Sequence, residues 1–167
     1  MSELNLKHRL LLPGVIVVVT LYLAITNYPT LPEQIPTHFN ASGEPDGWGK
    51  TSFSSIFSLP LLQLTLYGIF SGLLYLFSTR QDIRPMINLP NRDQLTTEQV
   101  ERIRRIIVNG MSGLNLVTCL MLFYIQFGTF QVVKGHWSGL GSFVWLFTLL
   151  IVGTAGWMLY QLFILRK

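Results

Sequence analysis

The stretch IFSLPLLQLTLYGIFSGLLYLF, residues 56–77, contains no Asp, Glu, Lys or Arg. A helix of about 20 apolar residues crosses the hydrocarbon core of a bilayer, so this stretch predicts a transmembrane helix. Three further runs have the same character, and they are residues 10–28, 106–130 and 140–165. We therefore predict an all-α membrane protein in which residues 1–167 form a single domain, a four-transmembrane-helix bundle.

The composition agrees with a membrane protein. The chain is 50% hydrophobic and only 12% charged, whereas soluble domains carry about 25% charged residues. The net charge of +4 is not arranged as a polar basic face, so no nucleic-acid partner is expected. The single cysteine, Cys119, excludes a disulfide within the chain. The run 10–28 exceeds the roughly 7–15 residues of a signal-peptide core, so it is predicted to be a retained span.

The positive charges predict the orientation of the bundle. Ten of the 12 basic residues precede the first span, lie between the second and third, or follow the fourth. Only Lys50 and Lys134 fall on the other side. Because basic residues are retained in the cytoplasm, both termini are predicted to be cytoplasmic in a bacterial cytoplasmic membrane. The loop 29–55 then faces outward.

The cytoplasmic segment 78–105 contains the start of a helix. Thr96 and Gln99 have the spacing of a capping box, which predicts a helix that begins at Thr97 and continues into the third span. Arg102, Arg104 and Arg105 would lie near the lipid headgroups, where they would attract anionic lipid.

Small and polar residues predict how the spans associate. Glycines spaced as Gly68 and Gly72, and as Gly153 and Gly156, favour close helix contacts within a membrane. Polar or small residues recur on the third span and predict a stripe that faces the bundle interior; they are Asn109, Ser112, Gly113, Leu116, Cys119 and Gln126. A polar pathway for a substrate is the alternative interpretation of this stripe.

The outer loop contains the segment LPEQIPTHFNASGEPDGWGK, residues 31–50. Pro32 and Pro36 favour extended backbone before them. The turn-forming residues around Gly43 predict one turn, and residues 44–47 predict a second. Loops that are held by a rigid scaffold often carry function, so this segment is the candidate functional region.

His38, Glu44 and Asp46 are the side chains in this loop that suggest chemistry, and His136 in the other outer loop is a possible fourth member. Three interpretations remain open. His38 bonds a backbone carbonyl while the carboxylates cap turns or pair with Lys50; the loop forms a surface that binds a ligand or protein; or these residues form a metal or catalytic site.

The same segment follows the pattern L-P-x-x-I-P-x-H-F-x-x-x-G-x-x-D-G-W-G-K and resembles the signature of domain of unknown function 1648. That domain is the N-terminal part of SdpI-type immunity proteins of bacteria. The resemblance covers the first two spans and the loop between them, and does not extend to residues 81–167. The motif positions are Pro32, Pro36, His38, Phe39, Gly43, Asp46, Gly47, Trp48, Gly49 and Lys50.

The resemblance implies a bacterial inner-membrane protein, and SdpI-type members protect a cell from its own secreted killing peptide and hold a repressor at the membrane. We expect a non-enzymatic protein, without cofactor, that recognises an extracytoplasmic peptide or envelope ligand. Its expected partners are the lipid bilayer, such a peptide and further copies of itself. The alternatives are a membrane enzyme with an outward-facing metal site and an oligomeric carrier component.

Overall fold

Four long helices and one β-hairpin make up the fold. The computed structural model describes residues 3–88 and 92–164. In chain order, the main elements are α1 (Glu3–Asn27), β1 (Gln34–Phe39), β2 (Pro45–Lys50), α2 (Phe53–Thr79), α3 (Thr97–Val133) and α4 (Phe143–Ile164). All four helices are long and apolar enough to cross a membrane, so the predicted multi-pass bundle is confirmed. The final residue of the last predicted span, Leu165, lies outside the described residues.

The third helix is the centre of the bundle. The other three helices all pack against α3, and α1 also packs against α2. By contrast, α4 packs extensively on α3 alone and has no buried residue in its described length. A cleft therefore remains between α2 and α4, with α3 as its floor.

The helix starts follow the local sequence. Ser52 caps α2 through a capping box with Ser55, and the predicted capping box of Thr96 and Gln99 opens α3. The Ser52 cap begins α2 at Phe53, so Pro60 lies inside this helix. Pro13 lies inside α1.

Polar contacts between helices agree only in part with the predicted stripe. Cys119 and Gln126 are buried as expected. The Gln63 amide donates to the backbone carbonyl of Cys119 at 2.8 Å and joins α2 to α3. Asn109, however, is exposed and accepts a hydrogen bond from Arg9 at 2.8 Å, while the buried asparagine of α3 is Asn115.

The predicted glycine contacts were wrong. A Cβ atom at any of the four glycines would meet nothing within 4 Å; they are Gly68, Gly72, Gly153 and Gly156. These glycines therefore lie away from the helix interfaces of the described chain. The close contacts occur at other glycines, such as Gly110, where a Cβ atom would lie 2.7 Å from the sulfur of Met158.

The end of the bundle that carries the start of α3 is here called the arginine end. Arg104 is buried there, against the expectation that it would contact headgroups. Its guanidinium donates to the carbonyls of Phe77 and Gln81 at 2.6 and 3.3 Å, so it satisfies groups at the end of α2. Arg102 and Arg105 are exposed, as predicted.

Candidate functional site: the hairpin and the cavity beneath it

The loop segment 31–50 folds into an antiparallel β-hairpin that closes the opposite end of the bundle, here called the hairpin end. Strands β1 and β2 pair from Gln34 opposite Lys50 to Phe39 opposite Pro45. The predicted second turn at residues 44–47 was wrong, because β2 already begins at Pro45. The single turn is closed by Asn40, whose side-chain oxygen accepts the N–H groups of Ser42 and Glu44 at 2.9 and 3.0 Å.

The glycines of the motif allow side chains to pack across the two strands. A Cβ atom on Gly47 would lie 2.9 Å from the Cβ of His38, and one on Gly49 would lie 2.8 Å from the methyl group of Thr37. Both distances are too short for real carbon atoms, so neither position accommodates a side chain without displacement of the opposite strand. Gly43 has a φ angle of +79° in the turn, a conformation that glycine adopts readily.

The base of the hairpin is fixed to the bundle by apolar and polar contacts. Ile35 is buried in a cluster with Ala24, Ile56 and Phe130, which joins β1 to three helices. The Thr51 backbone N–H donates to the carbonyl of Glu33 at 2.8 Å, and the Thr51 hydroxyl donates to the carbonyl of Pro32 at 2.5 Å. The hairpin is therefore held at its base independently of its tip.

The tip of the hairpin is held by the other loop of the same end. The backbone N–H of Leu140 donates to the carbonyl of Gly43 at 2.6 Å. The indole N–H of Trp145 in α4 donates to the carbonyl of Ala41 at 2.8 Å. We call these two hydrogen bonds the tip contact. It connects positions that lie about 100 residues apart in the chain, so it makes the hairpin a roof between α2 and α4.

The candidate ligating residues are divided among separate contacts. The Nδ1 atom of His38 lies 2.5 Å from a carboxylate oxygen of Asp46, across the two strands. Glu44 belongs to the turn, where its carboxylate accepts from the Asn40 amide at 3.3 Å. The Nδ1 atom of His136 lies 2.8 Å from the side-chain oxygen of Gln131, near the end of α3.

These local pairings leave no metal cluster in the described chain. No group of three or more His, Cys, Asp or Glu side chains converges among residues 3–88 and 92–164. The proposed metal set fails geometrically because Glu44 is held in the turn and His136 in the α3–α4 connection. His38 bonds a carboxylate rather than the backbone carbonyl that one interpretation expected.

The remaining motif residues line the roof or face outward. Pro36 is buried, Phe39 is half-buried, and Pro32 and Lys50 are exposed. The side chain of Trp48, a residue that is 56% exposed, makes no hydrogen bond to a described residue. The outer face of the hairpin thus presents an aromatic ring and a positive charge, and its inner face covers a cavity.

The cavity beneath the hairpin, here called the hairpin cavity, has a volume of about 720 Å³. Sites for small molecules commonly have volumes of about 300–1,000 Å³, so this cavity has a suitable size for a ligand. Its roof comes from β1 and the hairpin tip. Its walls come from the start of α2, the end of α3 and the start of α4, including Ser55, Leu59, Ile125, Thr129, Val144 and Thr148.

Gln126 indicates that this cavity is a candidate binding site, because it places a hydrogen-bonding amide in the cavity wall. Its side chain lines the cavity and is 96% removed from solvent, with 4% relative exposure. It makes no hydrogen bond to any described residue. Its amide atoms are not among the fully enclosed unpaired atoms of the described residues, so they are accessible from the cavity, where a ligand or water can bond to them.

Residues 15–64 match the family model described as Domain of unknown function (DUF1648). The matched DUF1648 segment includes most of α1, the whole hairpin and the first part of α2. The recognised motif is therefore confirmed as DUF1648. No curated protein and no solved structure matches the chain.

The DUF1648 segment supplies the roof and one wall of the hairpin cavity, while α3 and α4 supply the floor and the other wall. The sequence interpretation did not identify the second half of this site. It assigned Gln126 to packing and did not single out Trp145 or Leu140. An aromatic residue with a donor near the start of α4 was the available signal, because buried or interfacial indole N–H groups usually find a partner.

Proposed function

We propose that this protein is a bacterial protein of the cytoplasmic membrane that binds an extracytoplasmic ligand, a peptide or an envelope component, in the hairpin cavity. The observation that carries the proposal is the cavity of about 720 Å³ with Gln126 in its wall, a residue that is 4% exposed and whose amide has no partner among the described residues. The positive-inside bias supports cytoplasmic termini and an extracytoplasmic hairpin. An immunity-like or sensing role is consistent with such binding and rests on the resemblance to SdpI-type proteins.

The construction of the roof supports a binding role. The base of the hairpin is fixed by Ile35 and Thr51, whereas its tip is held by two hydrogen bonds to another loop. A segment that is fixed at one end and lightly held at the other can admit a ligand with little change elsewhere. The exposed Trp48 and Lys50 present an aromatic and a cationic group on the outer surface of the hairpin.

The test uses purified full-length protein and fractions of bacterial envelope extract, with the thermal unfolding midpoint as readout. At least one fraction is expected to raise the midpoint of the wild type, because a ligand that binds only the folded state stabilises it. The variant Thr129→Phe places a ring in the cavity and is expected to lose this increase.

Leu149→Phe is the matched control, since Leu149 is 68% exposed on α4 and does not line the cavity. This control should respond as the wild type does. An equal increase in the wild type and Thr129→Phe would place binding elsewhere, and no increase with any fraction would contradict the proposal directly.

A further inference from the structure

We infer that the occupant of the hairpin cavity is a single acyl chain with an uncharged, hydrogen-bonding head, which enters from the bilayer between α2 and α4. This inference rests on the proposed function and names the chemical class of the ligand. It follows from the opening of the cavity, from the charge of its lining and from the position of Gln126.

The cavity is bounded on only three sides by helices. Side chains from α2, α3 and α4 line it, and none of its lining comes from α1. Because α2 and α4 pack on α3 rather than on each other, the side opposite α3 is not covered by a helix. Leu62, which is exposed, lies one turn beyond the lining residue Ser58 on α2. In a membrane protein such a residue faces lipid tails, so lipid has direct access to the cavity.

The lining has no fixed charge that would hold an ionic head. It contains no Lys, Arg, Asp or Glu, and its one titratable residue is His38. The Nδ1 atom of His38 is already bonded to Asp46. Burial of a charged headgroup without a counter-charge is strongly unfavourable, which disfavours phosphate, carboxylate and ammonium heads. The walls are otherwise mainly apolar, as an alkyl chain requires.

Gln126 supplies the hydrogen bonds that fix the head. Three other polar side chains of the cavity already donate within the protein: the Thr129 hydroxyl to Ile125, the Thr148 hydroxyl to Val144, and the Trp145 indole to Ala41. The hydroxyls of Thr37 and Ser58 have no partner among the described residues, and each carries a single polar atom, whereas an amide carries two. The amide of Gln126 offers both a donor and an acceptor with no partner. A hydroxyl group, which both donates and accepts, satisfies both needs without charge.

The depth of Gln126 also fits an acyl amphiphile. It lies seven residues before the end of α3 at Val133, which corresponds to about 10 Å along the helix axis. The head would thus lie inside the bundle beneath the hairpin, and the chain would extend through the gap between α2 and α4 into the bilayer.

The test uses monooleoylglycerol with a photoreactive diazirine in its chain, added to full-length protein in phosphatidylcholine nanodiscs. After illumination, peptide mapping is expected to find the label in residues 125–129 and 144–148. Excess unlabelled monooleoylglycerol should abolish this labelling, and an equal excess of octadecene, which has no polar head, should not.

The variant Gln126→Leu retains the size of the side chain and removes the amide, so we expect about a tenfold loss of labelling, the effect of one well-formed hydrogen bond. The matched control is Gln161→Leu, because Gln161 is a half-buried glutamine on a spanning helix that lies outside the cavity. It should label as the wild type does. Equal labelling of all three proteins would overturn the inference.

A further competition experiment distinguishes failure of this inference from failure of the proposed function. Suppression of the label by an uncharged apolar pentapeptide, but not by monooleoylglycerol, would identify a peptide ligand and refute the acyl class. If an envelope fraction stabilises the wild type but not Thr129→Phe while monooleoylglycerol labels neither, the proposed function stands and this inference fails.

Discussion

The substitution Gly139→Ala tests whether the tip contact holds the hairpin over the cavity. A Cβ atom at position 139 would collide with the carbonyl oxygen of Gly43 and lie 3.1 Å from the Cα of Glu44. Both are backbone atoms, so no side-chain rotation relieves the collision. We expect the tip to lift, which breaks the hydrogen bonds from Leu140 and Trp145.

Each neutral hydrogen bond contributes about 0.5–1.5 kcal/mol, so lifting the tip costs about 1–3 kcal/mol. If the tip stayed in place, overpacking would cost a similar amount. A change of 1.4 kcal/mol corresponds to a factor of ten in an equilibrium constant, here that for opening of the tip contact. The backbone amide of Leu140 should therefore exchange with deuterium roughly five to 150 times faster.

Hydrogen–deuterium exchange with mass spectrometry measures this change in detergent-purified protein. Gly153→Ala is the control, since a Cβ atom there would meet nothing within 4 Å. It should leave exchange at Leu140 unchanged and stabilise α4 slightly through its helix propensity. Unaltered exchange of the Leu140 amide in Gly139→Ala would refute the tip contact.

Three further predictions address the cavity, the orientation and the arginine end. Gln126→Leu should raise the free energy of unfolding of ligand-free protein by up to about 1 kcal/mol, because it replaces an amide that has no protein partner with an apolar side chain in a mainly apolar wall; thermal destabilisation would contradict this. In intact cells, an impermeant maleimide should label Ser42→Cys but not Arg102→Cys, with little background from the buried Cys119; the reverse pattern would invert the topology. Arg104→Leu should cost about 2–4 kcal/mol in urea unfolding, because it removes charge-assisted hydrogen bonds to α2; an unchanged midpoint would contradict that role.

The spanning helices could be predicted because lipid imposes a simple requirement. A run of about 20 apolar residues without charge is sufficient to identify each span. The start of α3 was equally accessible, since a capping box consists of two residues at a fixed spacing. These signals are local in the sequence, so they can be interpreted without knowledge of the tertiary structure.

The packing of the hairpin was harder to predict because its glycines are required by contacts that form only in the folded chain. Gly47 suggested a turn, yet the structure uses it to admit His38 across the strands. Gly68 and Gly72 suggested a helix contact, yet in the described chain no neighbour lies against them. A glycine pattern shows that space is required but not which neighbour requires it.

The candidate site could be predicted only on its DUF1648 side. The motif identified the hairpin, but the tip contact joins Ala41 to Trp145, and no local pattern connects these positions. Gln126 was visible as a polar residue in an apolar run. Its lack of a partner, which makes it informative, depends on where α2, α4 and the hairpin lie around it.

The most direct measurement of the central claim is native mass spectrometry of the full-length protein, extracted from producing cells in patches of their own membrane. The wild type and Leu149→Phe are expected to retain one small-molecule adduct per chain, and Thr129→Phe, with its cavity filled, is expected to lose it. Absence of any adduct on the wild type, or equal retention by Thr129→Phe, would contradict ligand binding in the hairpin cavity.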